Sequence, residues 1–277
     1  MHNYCFFGNK IMLSDDAKVS VYDIGLLRGY GIYEGITTFN KRPFRLDDHL
    51  DRFERSARAL RLKIPCSRKK IAEILDELIS RHDYKRMNFR MILTGGPAEG
   101  GLYYDEATPT FYILAEEWKP FDRKLYEEGA SLMTYEHERL LPEMKTINYI
   151  TAVSLQSERK RRGAVEILFT SKGNVLEAST SNFFLFKGDI LVTPGDGILS
   201  GITRKVVLEL ARGHFAIEER PVAVMELKEA DEAFISASYK DIMPIVEIDG
   251  RKIGAGSVGV NTKKIMDLFA DYTKKYS

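Results

Sequence analysis

The sequence predicts an α+β or mixed α/β fold in two domains. Segments of strand and helix character follow one another without the regular alternation of a doubly wound sheet. The 277 residues are 44% hydrophobic and 29% charged, which is enough material for two modest buried cores. A proline between charged residues interrupts the pattern in EEWKPFDR. We therefore predict a small N-terminal α/β domain at residues 1–116, a linker at 117–123 and a larger domain at 124–277.

The first domain is predicted to begin with a hairpin and then to combine strands with amphipathic helices. Leu46, Leu50, Phe53 and Ala57 recur every three or four residues, the spacing of one buried helix face. The glycine-rich stretch 95–101 lacks the Gly-Lys-Ser/Thr ending of a phosphate loop, so a mobile loop is expected there. The expected elements are strands at 4–7, 11–13, 31–39, 87–94 and 110–115 and helices at 46–62 and 68–81.

The second domain is predicted to mix short strands with three helices. A literal dinucleotide fingerprint occurs at Gly254–Gly259, but only 18 residues follow it, too few for the βαβ unit that it requires. The expected elements are strands near 130–135, 164–170, 182–187, 190–193, 215–220 and 232–238 and helices at 149–162, 203–211 and 260–272.

The composition argues against several classes of protein. Lys and Arg number 41 against 40 Asp and Glu, a formal net charge of +1, which does not favour nucleic acid as a partner. The two cysteines lie far apart in no metal-type spacing, so no metal site is predicted and a reducing compartment is expected. No signal-peptide pattern and no stretch of ~18 apolar residues is present. We therefore expect a cytoplasmic protein with no membrane partner.

Lys145 differs from the other lysines in its surroundings. In PEMKTINY it lies among apolar and hydrogen-bonding residues that include Ile147, Asn148 and Tyr149, and not on a charged helix face. Burial in such surroundings lowers the pKa of a lysine and makes its amine nucleophilic. The alternative is a lysine at the end of a strand that reaches for water.

Several segments offer groups that bind anions. Gly201-Ile202-Thr203-Arg204 joins a glycine loop to a helix, where open amides and the Thr203 hydroxyl suit a phosphate, although an ordinary N-cap also fits. Arg52 lies at the edge of an apolar helix stripe and either extends its charge into solvent or faces a phosphate. Ser236 and Ser238 follow an apolar strand, where hydroxyls commonly bind phosphate.

Glu177 precedes a hydroxyl-rich turn, where its carboxylate either caps the turn or holds a proton on a cofactor ring. A lysine, an acidic partner for a ring nitrogen and a phosphate cup are the set that pyridoxal phosphate requires. The carboxylate keeps the ring nitrogen protonated, so that the ring accepts electrons when a Cα–H bond breaks. Lys145, once displaced by substrate, can carry the proton between Cα and the C4′ carbon.

From Tyr33-Glu34-Gly35 to Pro244 the sequence resembles the fold-type IV pyridoxal-phosphate enzymes, which include branched-chain aminotransferases, D-amino acid transaminases and aminodeoxychorismate lyases. The most specific motifs are KTxNY from Lys145, ExSxxNxF from Glu177 and GITR from Gly201, in the order and approximate spacing of the family. The resemblance implies a small N-terminal α/β domain and a larger domain with a β-barrel-like sheet. It also implies a homodimer in which a loop of the second subunit completes the active site.

The same resemblance assigns a role to each candidate residue. It makes Lys145 the catalytic, Schiff-base lysine, Tyr149 the partner of the phenolic oxygen of the ring, and Glu177 the partner of the ring nitrogen. The implied phosphate ligands are Arg52, the Ile202 and Thr203 amides, the Thr203 hydroxyl and Ser238.

The substrate carboxylate needs a separate site. D-amino acid transaminases of the usual kind place an arginine and a histidine where this chain has Gly95 and Pro97. The Tyr-x-Arg-Pro and Gly-Thr-Ala-Ala motifs of branched-chain enzymes match NFRM and SASY only in part. Arg28, in a glycine loop, and Arg90, which is costly in a strand unless it meets an anion, are the expected carboxylate ligands, with Tyr33 beside the substrate. A structural salt bridge is the alternative for each arginine.

We expect a transaminase that moves the amino group of a D-amino acid such as D-glutamate or D-alanine to 2-oxoglutarate or pyruvate by a ping-pong mechanism. Some D-amino acid transaminases that lack the usual carboxylate trap resemble this arrangement. The alternatives are a branched-chain L-amino acid aminotransferase, an aminodeoxychorismate lyase and, from a different class, a noncatalytic anion-binding protein. The hand of the substrate depends on which side of the ring the carboxylate is anchored, and a linear sequence does not show this.

Overall fold

A computed structural model of the protein describes residues 3–276, which divide into two compact units. The first unit contains the chain through Lys119 together with Met144–Tyr149 and Tyr276, and the second contains Pro120–Glu143 and Ile150–Lys275. The segment that carries Lys145 thus belongs to the first unit, although the chain on either side of it belongs to the second. Within residues 3–276 no helix has the length and apolar character needed to cross a bilayer.

The first unit is built on an antiparallel sheet of six strands in the order β2-β1-β8-β5-β3-β4. Its helices include an amphipathic one, α2, that packs against β3. The elements are β1 (Tyr4–Phe7), β2 (Lys10–Leu13), α1 (Ile24–Arg28), β3 (Gly31–Phe39), β4 (Arg42–Pro43), α2 (Leu46–Ala59), α3 (Arg68–Ser80), β5 (Met87–Thr94), β6 (Ala98–Glu99), β7 (Tyr103–Tyr104) and β8 (Thr110–Glu117), with a 3₁₀ turn at Ser14–Asp16.

The two faces of this sheet have different roles. Because successive strand residues point to opposite faces, β3 and β5 send residues such as Ile32 and Phe89 to the core, where both are fully buried. Burial of a side chain of this size stabilises the fold by about 1.5–3 kcal/mol. The opposite face carries Tyr33, Gly35 and Arg90. The same strands therefore support the core on one face and carry Tyr33 and Arg90 on the other.

Two local expectations for the first unit are corrected. Arg28 is the last residue of α1 and not part of a glycine loop, because Gly29 (φ 67°) adopts the left-handed conformation that ends the helix. The stretch 95–101 is not only a loop, since it contains β6, which pairs with β7. Gly96 has a φ of 84°, and a Cβ there would lie 2.0 Å from the Thr108 carbonyl oxygen, so this turn requires glycine.

The second unit is built on a mixed sheet, ordered β14-β13-β12-β16-β17-β9-β10-β11-β15, with β18 paired to β17. β9 runs parallel to β10 and β17, and β13 runs parallel to β14. The elements are α4 (Lys124–Glu127), β9 (Ala130–Glu136), α5 (Ile150–Ser154), α6 (Gln156–Arg161), β10 (Glu166–Ser171), β11 (Asn174–Ala178), β12 (Asn182–Lys187), β13 (Ile190–Thr193), α7 (Ile202–Ala211), β14 (Ala216–Glu219), β15 (Val222–Ala223), β16 (Glu232–Ala237), β17 (Asp241–Ile248), β18 (Arg251–Lys252) and α8 (Val260–Lys274), with a 3₁₀ turn at Val224–Lys228.

The second unit also departs from the sequence expectations. The helix predicted at 149–162 is two short helices, α5 and α6, which are interrupted at Leu155. The β-branched residues in α5 weaken a continuous helix. The sequence pattern does not predict β11, which directly precedes the hydroxyl-rich turn, or β17, whose strand pattern is obscured by Pro244 because proline is rare in paired strands.

Candidate active site

The main chain of Lys145 is fixed against β3 and α2. The amide of Tyr33 donates to the Lys145 carbonyl at 2.9 Å, and the amide of Ile147 donates to the Gly31 carbonyl at 3.0 Å. The Lys145 amide donates to the Ser56 hydroxyl of α2 at 3.2 Å. Backbone contacts on both sides of Lys145 therefore determine where its side chain starts.

The Lys145 side chain lies beside a pair of tyrosines in the first unit. Its Nζ is 4.4 Å from the centre of the Tyr33 ring, within cation–π distance. The hydroxyls of Tyr33 and Tyr149 are 2.6 Å apart and hydrogen-bonded. Burial raises the pKa of Tyr33, although its hydrogen bond to Tyr149 acts in the opposite direction, so the Tyr33 phenol is protonated at neutral pH. Lys145, Tyr149 and Tyr33 are thus brought together.

Arg52 belongs to a buried polar network with Glu34 and His49. Its Nε and one terminal nitrogen donate to the two oxygens of the Glu34 carboxylate at 3.0 and 2.6 Å. His49 Nδ1 lies 3.0 Å from the same carboxylate. Arg52 is only 3% exposed, so the alternative in which it extends its charge into solvent is wrong. The guanidinium is instead held in a fixed orientation by a bidentate ion pair.

Charge states within this network follow from burial and pairing. Burial alone would raise the pKa of Glu34, but the charges and hydrogen bonds of Arg52 and His49 outweigh it and hold that pKa well below its usual range. Burial lowers the pKa of His49, so its ring is neutral at pH 7 and Nδ1–H donates to Glu34. The network therefore contains one carboxylate and one guanidinium, with a neutral imidazole beside them.

The two predicted carboxylate ligands are on exposed parts of the first unit. The Arg90 side chain is 44% exposed, with a terminal nitrogen 4.0 Å from a Glu116 oxygen. Gly35, which has no side chain, lies opposite it on β3. The Arg90 side chain is thus partly open to solvent, and the carboxylate beside it is that of Glu116. Arg28 is exposed, and its guanidinium donates to the Leu27 carbonyl at 2.9 Å.

Glu177 lies near the end of β11 and is held by an arginine. Its Oε1 accepts from Nε of Arg139 at 2.8 Å, and its Oε2 accepts from the Leu199 amide at 3.1 Å. Arg139 also donates to the Pro142 carbonyl. The positive charge of Arg139 favours the ionised carboxylate, which suits a partner for a protonated ring nitrogen. Sequence reasoning missed Arg139, because HERLLPEMK contains no motif that distinguishes it.

The N-terminus of α7 has the properties of an anion site. No side chain caps its first turn, so the amides there are open, and the buried Thr203 hydroxyl makes no hydrogen bond within the described residues. A Cβ at Gly201 would lie 1.9 Å from the Asn182 Oδ1, so the approach to α7 requires glycine. Asn182 also donates to the Leu199 carbonyl at 2.8 Å. The asparagine of ExSxxNxF thus supports the loop that precedes GITR.

A second buried hydroxyl in this unit is Ser236, on β16 directly opposite Asn182. It is 1% exposed and has no hydrogen-bond partner within residues 3–276. Ser238, the predicted phosphate ligand, follows in the turn between β16 and β17. Buried hydroxyls without partners are costly, and a phosphate at the start of α7 would supply acceptors of the kind that they lack. The donor set of this unit therefore fits pyridoxal phosphate, and it includes Ser236, which the sequence pattern indicates although the family resemblance assigns only Ser238.

Comparison with known proteins agrees with this chemistry. The family model described as amino-transferase class IV matches residues 31–248. A Methanocaldococcus jannaschii protein provisionally named branched-chain-amino-acid aminotransferase is 34% identical over 98% of this chain and 96% of its own. A Listeria monocytogenes D-alanine aminotransferase is 28% identical over 95% of this chain and 93% of its own. The T.th. branched-chain amino acid aminotransferase, solved with pyridoxamine 5′-phosphate, has a TM-score of 0.92 at 25% identity, covering 100% of this chain and 96% of that one.

The matched residues include all three motifs, from KTxNY to GITR. The family, the fold and the cofactor predicted from the sequence are thereby confirmed. The chain belongs to the class IV aminotransferases, pyridoxal-phosphate-dependent enzymes of fold type IV with a mixed α/β structure and a curled half-barrel sheet.

Proposed function

We propose that this aminotransferase takes the amino group from a D-amino acid and passes it to a 2-oxo acid such as 2-oxoglutarate or pyruvate. The observation that carries the proposal is the exposed Arg90 on the sheet face that also bears Tyr33, which Lys145 contacts. An arginine there suits a carboxylate. The Arg-His pair of the usual D-amino acid enzymes is absent at Gly95 and Pro97, and the branched-chain motifs are incomplete. A D-alanine aminotransferase among the relatives also supports this substrate class.

In the proposed mechanism, Lys145 is both the covalent anchor of the cofactor and the proton carrier. Bound pyridoxal phosphate supplies an electron-accepting ring that stabilises negative charge at the substrate Cα. With the cofactor bound, the Lys145 amine would take up the substrate Cα proton and act as its carrier. Glu177, which Arg139 holds in place, would keep the proton on the ring nitrogen. Tyr149 would donate to the phenolic oxygen of the ring, and its hydrogen bond with Tyr33 would help to orient its hydroxyl.

The proposed phosphate ligands use the open amides and hydroxyls of the second unit together with Arg52. The amides of Ile202 and Thr203 and the Thr203 hydroxyl begin α7, where the helix dipole favours an anion. Ser238 belongs to the same proposed set, and the unpaired hydroxyl of Ser236 is added to it. Glu34 would keep the Arg52 guanidinium aligned, because its carboxylate binds Nε and one terminal nitrogen in a bidentate pair.

We also propose that the enzyme is a cytoplasmic homodimer. Large apolar side chains are exposed on two neighbouring segments of the first unit, which are joined by the Ala98 amide donating to the Tyr22 carbonyl at 2.9 Å. Exposed apolar surface of this kind is typical of a protein interface. The exposed apolar residues are Val21, Tyr22, Leu26, Leu102 and Tyr103. Arg28 is the last residue of α1, which belongs to the first of these segments, and a dimer contact there would place it near the active site of its own or of the second subunit. The two free cysteines support a reducing compartment.

A branched-chain L-amino acid aminotransferase is the second candidate function. It is favoured by the relative at 34% identity and by the T.th. structure, both of which carry that name. The incomplete Tyr-x-Arg-Pro motif at Asn88–Met91 argues against it.

Half-reactions with the purified yellow enzyme should separate the two candidates. D-glutamate and D-alanine are expected to convert the bound cofactor to its pyridoxamine form, whereas L-leucine and L-valine leave the spectrum unchanged. Stopped-flow absorbance without a 2-oxo acid measures this directly, and pyruvate alone serves as the control because it cannot donate an amino group. Conversion by the L-amino acids only would instead establish the branched-chain activity. Pyruvate release from aminodeoxychorismate without any acceptor would indicate a lyase.

Replacing Arg90 or Arg28 by leucine should weaken substrate binding without loss of cofactor. A charge-assisted hydrogen bond to a carboxylate contributes enough that the KM for the amino acid should rise about 10- to 100-fold. Steady-state kinetics give the KM, and the absorbance of the bound cofactor reports its retention. Arg42→Leu is a matched control, because Arg42 is an exposed arginine on β4 of the same unit. Unchanged KM values in both variants would exclude these arginines as carboxylate ligands.

A further inference from the structure

A buried ion pair joins two turns of the second unit. Lys240 lies in the turn between β16 and β17, and its Nζ is 3.1 Å from Oε1 of Glu166 on β10. The same ammonium donates to the Thr180 hydroxyl at 2.8 Å. The side chains of Glu166 and Lys240 are only 3% and 13% exposed, so this is not a solvated surface pair.

The Glu166 carboxylate accepts hydrogen bonds from each residue of the turn between β11 and β12. It accepts from the Ser179 hydroxyl at 3.0 Å, from the Thr180 amide at 2.6 Å and from the Ser181 hydroxyl. Burial raises the pKa of Glu166, but the Lys240 ammonium and the Ser181 hydroxyl outweigh that effect and hold it below the usual range. One ionised carboxylate therefore ties this turn to Lys240.

The two turns flank groups that the proposed function assigns to the cofactor. Glu177 lies two residues before Ser179, and Ser238 lies two residues before Lys240. The main chain of Lys240 is itself fixed, since its carbonyl accepts from the Tyr126 hydroxyl at 2.9 Å. A shift of either turn would therefore move the partner of the ring nitrogen relative to a phosphate hydroxyl.

We propose that the Lys240–Glu166 pair is a positioning bridge that holds the Ser179–Ser181 turn and the Ser238 turn in the geometry that binds pyridoxal phosphate. The inference rests on the proposed roles of Glu177 and Ser238, but not on the hand of the amino acid substrate. Lys240 acts through the two turns and is thus a positioning residue. A neutral side chain at position 240 would leave the buried Glu166 carboxylate with hydrogen bonds from the turn but without its counter-charge, which favours entry of water or movement of the turn.

The test compares the rate at which purified holoenzyme variants lose pyridoxal phosphate on dilution, together with the KM for the cofactor during reconstitution. Lys240→Met keeps most of the aliphatic chain and removes the charge. We expect about tenfold weaker cofactor binding, with most of the loss restored in Lys240→Arg. Lys187→Met is the matched control, because Lys187 of the same unit forms ion pairs with Glu226 and Glu229 near solvent and should retain pyridoxal phosphate as the wild type does.

A second variant, Glu166→Gln, keeps the size of the side chain while removing its charge, and it tests the bridge if Lys240→Met folds poorly. The double variant should lose less cofactor affinity than the sum of the two single losses, because both remove one interaction. A lowered melting temperature with wild-type cofactor affinity in both single variants would overturn the inference and leave the pair as a stabilising contact. A loss of cofactor affinity in Lys187→Met as large as that in Lys240→Met would overturn the inference as well. If the wild type rejects D-amino acids while Lys240→Met still releases the cofactor, the proposed substrate class fails and the bridge stands.

Discussion

Replacing Lys145 by alanine should abolish transamination, lowering kcat by about 10³-fold or more. The expected loss is large because one amine would serve both as covalent anchor and as proton carrier. The main chain of Lys145 is fixed by contacts with Tyr33 and with Ser56, so a neighbouring side chain cannot easily take its place. Single-turnover half-reactions with D-glutamate or D-alanine measure the proton-transfer step without the second substrate.

Two comparisons make this prediction specific. Lys63→Ala removes an exposed lysine of the same unit and should leave kcat unchanged. Added methylamine should restore part of the rate in Lys145→Ala, because a small amine can occupy the space of the missing side chain and carry the proton. A Lys145→Ala enzyme with the wild-type rate would remove Lys145 from the mechanism.

Much of the fold was predictable because the patterns that determine it are local. The apolar residues of α2 recur at helical spacing, and the strands β3 and β5 were predicted with the bounds that the structure has. The elements that were missed or broken differently depend on neighbours distant in sequence. β17 contains Pro244 and is paired on both sides, which local propensity does not anticipate.

The candidate site was predictable only where a motif marks it. Lys145, Glu177 and Gly201 each begin a recognisable motif, whereas Arg139 lies in an ordinary charged stretch and is identified only by its hydrogen bond to Glu177. For Arg90, the sequence identifies the residue but not its environment. Its sequence context suggested a buried strand, but the exposure of one sheet face is a property of how the strands and α2 pack. Ion-pair partners and exposed faces are set by register and packing, which a linear pattern does not encode.

Replacing Glu34 by alanine should destabilise the first unit by about 3–5 kcal/mol, because it leaves a buried guanidinium without its counter-charge. Glu34 is fully buried and occupies two donors of Arg52, so solvent cannot easily replace it. The midpoint of urea denaturation, followed by fluorescence, gives the change in the free energy of unfolding. Glu54→Ala is the matched control: Glu54 pairs with Arg68 at an exposed site, and an exposed pair contributes about 1 kcal/mol or less.

The difference in the free energy of unfolding between wild type and Glu34→Ala should depend on pH, because the pKa of Glu34 is lowered in the folded state. Its folded-state value lies below the unfolded value of about 4.3, so the stabilisation is fully present above that pH and is lost as pH falls through the folded-state pKa. His49 acts in the same direction over a different range. Its pKa is lowered by burial, so below about pH 6.5 the unfolded chain takes up the proton more readily and the folded enzyme loses stability.

The difference in the free energy of unfolding between wild type and Glu34→Ala should therefore be constant near neutral pH and decrease only at acidic pH. Glu34→Gln offers a sharper comparison, since it preserves the size of the side chain and removes only the charge that Arg52 requires. If the stabilisation came mainly from packing, Glu34→Gln would unfold at nearly the wild-type urea concentration at pH 7. If Glu34→Gln instead loses much of the free energy of unfolding at pH 7, and this loss decreases on acidification, the stabilisation comes from the ion pair. Protonation at low pH makes the wild-type side chain neutral as well.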